Sequence, residues 1–71
     1  MTEERKRRDA RRLELSHACA QLQEIRSALE ESWQSFNAVS DPALTEAYIF
    51  EINALRSRYD HAVRQLKTLL L

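Results

Sequence analysis

Ala38-Val39-Ser40-Asp41-Pro42 is the stretch that decides the fold. An aspartate followed by proline halts one helix and starts another. Proline disfavours helical geometry at the residue before it, has no N–H to lose in a first helical turn, and leaves the Asp41 carboxylate free to cap the second helix. Upstream of this stretch, Leu15, Leu22, Leu29 and Phe36 recur every seven residues, with Ala18, Ile25 and Val39 at the intermediate positions and Ser32 as the only interruption. Downstream, Thr45, Ile52, Tyr59 and Leu66 form one heptad row, and Tyr48, Leu55, Ala62 and Leu69 form another. Apolar residues at this period line one face of a helix, so both segments read as amphipathic helices. A connection this short lays them side by side and antiparallel, with residues whose numbers sum to about 81 level across the seam.

Composition agrees with that pattern. The 71 residues include no glycine and one proline, which leaves little chemistry for tight turns. Leu, Ala, Arg and Glu dominate, and strands are not expected. The fold expected is all-α, an antiparallel two-helix hairpin that dimerises into a four-helix bundle. Its parts are a basic N-terminal arm or helix extension over 1–12 and a hairpin over 13–71. Within these, one helix covers about 5–38, the Asp-Pro turn about 39–42, and the second helix about 42–70. The register leaves about the first nine residues of the arm without a neighbour.

Two helices share one seam, which is a thin core against the entropy of ordering a chain. Additional apolar residues lie off that seam: Ile49, Val63 and Leu70 beside it on the second helix, Ala43, Ala47, Phe50 and Ala54 around the same helix, and Trp33 beside the first stripe. Trp33, Ile49, Phe50, Val63 and Leu70 are therefore the candidate interface, for a second copy or another helical protein. On that reading Phe50→Asp disrupts association, and salt has little influence.

Charge sums to zero but is unevenly placed. Residues 1–12 hold six basic side chains against three acidic ones, a net of +3, and residues 13–41 hold one against five, a net of −4. Arg7, Arg8, Arg11 and Arg12 are candidate phosphate-binding residues, the basis of an alternative function as a nucleic-acid-associated or anionic-membrane-associated accessory protein. Interleaved acids and the lack of an aromatic near the arm for base stacking favour a solvated terminus instead.

Catalysis is not expected. Phosphate-cradling loops need glycines that this chain lacks. Ser16-His17 and Asp60-His61 point in different directions as helix neighbours, and both histidines fall on outward heptad positions. Cys19 reads as a small packed apolar residue rather than a ligand in a site with His17 and His61. No catalytic residue, cofactor or metal is expected. A single cysteine, no signal-like N-terminus and no apolar run of roughly 20 residues point to the cytoplasm and away from a membrane span.

The stretch from Ala28-Leu29-Glu30-Glu31-Ser32-Trp33 through Asp41-Pro42-Ala43-Leu44, then Glu46-Ala47-Tyr48-Ile49-Phe50-Glu51 and Ala54-Leu55-Arg56-Ser57-Arg58-Tyr59, resembles the YaaL-like family of small uncharacterised bacterial proteins. Its distinguishing features are an aromatic before an Asp-Pro turn, an aliphatic or aromatic run after it, and an Arg-Tyr pair, here Arg58-Tyr59. Thr45 departs from the aliphatic residue usual at that position. The resemblance spans roughly 13–67. It implies a cytoplasmic bacterial hairpin protein, from a Gram-positive spore-forming lineage, with no known catalytic residues.

Overall fold

The computed structural model describes residues 2–71, so the first residue of the 1–12 arm lies outside the described residues. Helix α1 runs Thr2–Ala38 and helix α2 runs Pro42–Leu70, and the described residues include no strand. The arm belongs to α1, which starts about one turn before the expected residue 5. Glu3 and Glu4 sit in the first turn, where carboxylates complement the positive end of the helix dipole. Arg8 reaches back to Glu4 at 3.9 Å, an acid-first i,i+4 pair that favours helix.

At the hinge, Asp41 adopts extended backbone angles, φ −73° and ψ 122°, and its carboxylate accepts a 2.8 Å hydrogen bond from the Ala43 amide. Thr45 donates from its amide (2.9 Å) and its hydroxyl (3.0 Å) to the Asp41 carbonyl. Val39 N–H donates to the Ser35 carbonyl, closing the last turn of α1. No described residue takes a positive φ, so the chain reverses through the non-helical Val39-to-Asp41 link and needs no glycine.

All sixteen residues of the four heptad rows are at least partly shielded, which is the hairpin seam. Ile52, Leu55 and Ala62 are buried on α2. On α1 the buried residue is Ser32, the one polar interruption of the stripe. By register it is level with Tyr48, and a small side chain opposite a large one keeps close-packed helices evenly spaced. Among the described residues, no buried side-chain nitrogen or oxygen lacks a hydrogen-bond partner.

The molecule is a rod of 61 × 15 × 12 Å with a radius of gyration of 17.2 Å. A compact chain of this length would have a radius near ~11 Å. Neither helix is long and apolar enough over the described residues to cross a membrane.

Candidate association surface

Seam positions face inward, so the residues beside them define two flanks. Antiparallel packing puts the residue after each of Ala18, Ile25 and Ser32 on the same flank as the residue after each of Tyr48, Leu55, Ala62 and Leu69. That flank carries Cys19, Arg26 and Trp33 from α1, and Ile49, Arg56, Val63 and Leu70 from α2. Trp33 is 46 % exposed, Ile49 45 % and Leu70 62 %, while Val63 is half-buried. The Trp33 ring meets Phe36 edge to face, with centroids 5.7 Å apart and planes at 88°. Its contact with a seam residue holds the indole in place, as in a rigid anchor.

Phe50 does not share this flank. It stands two residues from both Tyr48 and Ile52, about 200° around the helix from each, and so lies on the rear of α2 with Ala43, Ala47 and Ala54. It is 66 % exposed. The five candidate interface residues are thus divided: Trp33, Ile49, Val63 and Leu70 share a flank, and Phe50 stands apart.

The opposite flank is polar toward the open end, while near the hinge it carries Leu44, which is 50 % exposed. A shallow groove between the helices is lined on its polar part by Glu14, His17, Gln21, His61 and Gln65, and continues toward Arg58. The two histidines share this groove, but among the described residues no three metal-binding side chains come together. Cys19 is exposed on the other flank, which corrects the expectation that it packs. It comes one residue after a seam position, and one step around a helix is about 100°, enough to leave the seam. Periodicity alone could have found the groove and the division of the flanks, because both derive from positions next to the heptad rows.

The four candidate phosphate-binding arginines are exposed and differently engaged. Arg11 Nη2 donates a 3.0 Å hydrogen bond to the Leu69 carbonyl, so its guanidinium caps the negative end of α2. Arg8 pairs with Glu4 within the first turns of α1. The register alone places Arg11 level with the last turn of α2, which is the signal that could have foretold the cap.

Charge is strongly polarised along the rod. Between Ser27 and Leu55, the half of the hairpin around the hinge, there are five acids (Glu30, Glu31, Asp41, Glu46, Glu51) and no Lys or Arg. All eleven basic residues lie in the open half, with the other six acids. Arg26 and Arg56 stand level at the boundary. Set against models of protein families, curated proteins and solved structures, the chain matches none of them.

Proposed function

We propose that this chain is a non-catalytic helical association module, using its apolar surface to bind a second copy or another helical protein. The observation that carries this reading is large apolar side chains left in water on an ordered scaffold: Trp33, Ile49, Phe50 and Leu70. Surface area supports it. The chain exposes 5999 Å², whereas a compact monomer of 8.3 kDa exposes about 4600 Å². The excess includes the overhanging start of α1, where residues 2–14 are all exposed, together with the apolar surface beside the seam. With a second copy the product is a four-helix bundle, in which the seam of each hairpin gains a covering layer. We place the protein in the bacterial cytoplasm and in the YaaL-like family, on the strength of the Trp33, Asp41-Pro42 and Arg58-Tyr59 features.

Light scattering over a range of concentration tests the proposal. A mass of twice 8.3 kDa supports self-association. A stable helical monomer rejects it and leaves the surface to a different protein.

A second reading, association with nucleic acid or anionic membrane, has one observation in its favour. Residues 2–12 are the exposed start of α1 and carry six basic side chains. Salt-sensitive binding to duplex DNA, RNA or acidic vesicles is its signature, because neutralised phosphates release counterions. Replacing Arg7, Arg8, Arg11 and Arg12 together with alanine must abolish that binding, and unchanged binding sinks the reading.

A further inference from the structure

We infer that two copies of this hairpin associate antiparallel, hinge end to open end, through the flank that carries Trp33, Ile49, Val63 and Cys19. The inference rests on the self-association proposed above and adds the face, the direction and the register.

Three observations converge on one twofold axis. The first is length. The two-helix part of the rod runs from the level of Arg11, bonded to Leu69, to the hinge at Asp41. Its midpoint is the level of Arg26. The second is the apolar pattern: Trp33 with Ile49 forms one cluster and Cys19 with Val63 the other, and Arg26 lies midway between them. An axis through that level seats each cluster of one copy on the other cluster of its mate, with the whole two-helix region overlapping. The third is charge. The change from a net of −5 between Ser27 and Leu55 to +5 over the remainder falls at the same level, marked by Arg26 and Arg56.

Charge decides the direction. A parallel pair would also match apolar clusters, but would place two arms of net +3 side by side and two acidic hinge halves together. The antiparallel pair sets each acidic half against a basic half and sends the arms to opposite ends. Arg12 of one copy then comes level with Asp41 of the other. Near the axis Arg26 and Arg56 approach their own copies, with Glu30 and Asp60 four residues on along the same helices. Phe50, on the rear of α2, stays outside this contact.

Salt separates the two directions. Opposite charges attract across an antiparallel interface and salt screens them, so the dissociation constant should rise several-fold between low and high ionic strength. A parallel dimer should tighten instead. Spin labels give the register directly. Labels at Ala20→Cys in a Cys19→Ser background, on the rear of α1, should lie about 18 Å apart along the rod, from about twelve residues at ~1.5 Å each. Labels at Ser40→Cys in a Cys19→Ser background, at the hinge, should lie about 42 Å apart. Close approach at both positions, or a dimer that tightens with salt, overturns the antiparallel arrangement and leaves self-association standing. A monomer mass overturns both. Ile49→Asp should weaken the dimer on the order of 30-fold or more, as loss of an interface anchor does, while Phe50→Asp should leave it unchanged. The reverse sensitivity assigns the contact to the rear of α2 and rejects the flank.

Discussion

The two flanks of this hairpin are built on the same seam and made to the same helical geometry, yet they meet water differently. On one, Glu14, Gln21, Arg58 and Gln65 edge a polar groove that includes both histidines. On the other, Trp33, Ile49, Val63 and Leu70 leave apolar surface uncovered, relieved only by arginines. Folding the hairpin needs the seam, and either flank could be polar without disturbing it. Trp33 packs on Phe36 and Val63 is half-buried, but Ile49 and Leu70 stay in water, and it is this exposed part that the proposed association would cover.

The largest effect should come from the seam, which serves both flanks equally. Leu55→Ala removes a buried side chain from a thin core, and such truncations cost about 2–5 kcal/mol. Circular dichroism during a thermal scan should show the hairpin largely unfolded, with the distinction between flanks lost. A well-folded variant would mean that the flanks contribute more to the fold than the seam does. Next in size is a paired exchange on the apolar flank: Trp33→Ser with Ile49→Ser should abolish self-association while helicity at high concentration falls only partly. Mass and far-UV circular dichroism, read together, check this. Complete loss of helix would show that the flank belongs to the core. A smaller change is expected at the hinge, where Asp41→Ala deletes the carboxylate that accepts from Ala43. Loss of an N-cap costs about 0.5–2 kcal/mol, visible in a urea titration as a lower midpoint with an unchanged slope.

Much of this arrangement is legible in the residues, and the remainder is hidden for physical reasons. The Asp41-Pro42 turn, both helices, the all-helical fold and the four heptad rows derive from periodicity and cap chemistry, which act locally. Ser32 breaks the apolar pattern because hydrophobicity describes what a position tolerates, whereas close packing also depends on how near the facing helix comes; the tightest place selects a small residue. Cys19 departs from its expected packing for the converse reason, since a side chain with apolar character does not pack unless its angle around the helix brings it to the seam. The arm is ambiguous in sequence because six basic residues with interleaved acids suit both a solvated tail and a helix, and the i,i+4 pairing and the dipole that favour helix are worth only tenths of a kcal/mol each. The Arg11 cap depends on a residue 58 positions away, so no local pattern carries it and only the hairpin register points to it.

The smallest effect should come from the polar groove, and it is the sharpest control on the comparison. Gln21→Glu with Gln65→Glu places two new carboxylates on that flank, where both residues are exposed and can remain solvated. Substitutions at such sites usually change stability by less than about 0.5 kcal/mol. If the apolar flank alone mediates association, the double variant should unfold near the wild-type midpoint and retain the wild-type mass in light scattering. The charges it adds lie in the basic half of the rod, so any long-range effect on an antiparallel pair should be a slight weakening that disappears with added salt. A large loss of mass that persists at high salt would instead mean that the groove is itself in contact, and that the difference between the flanks does not mark where a second chain binds.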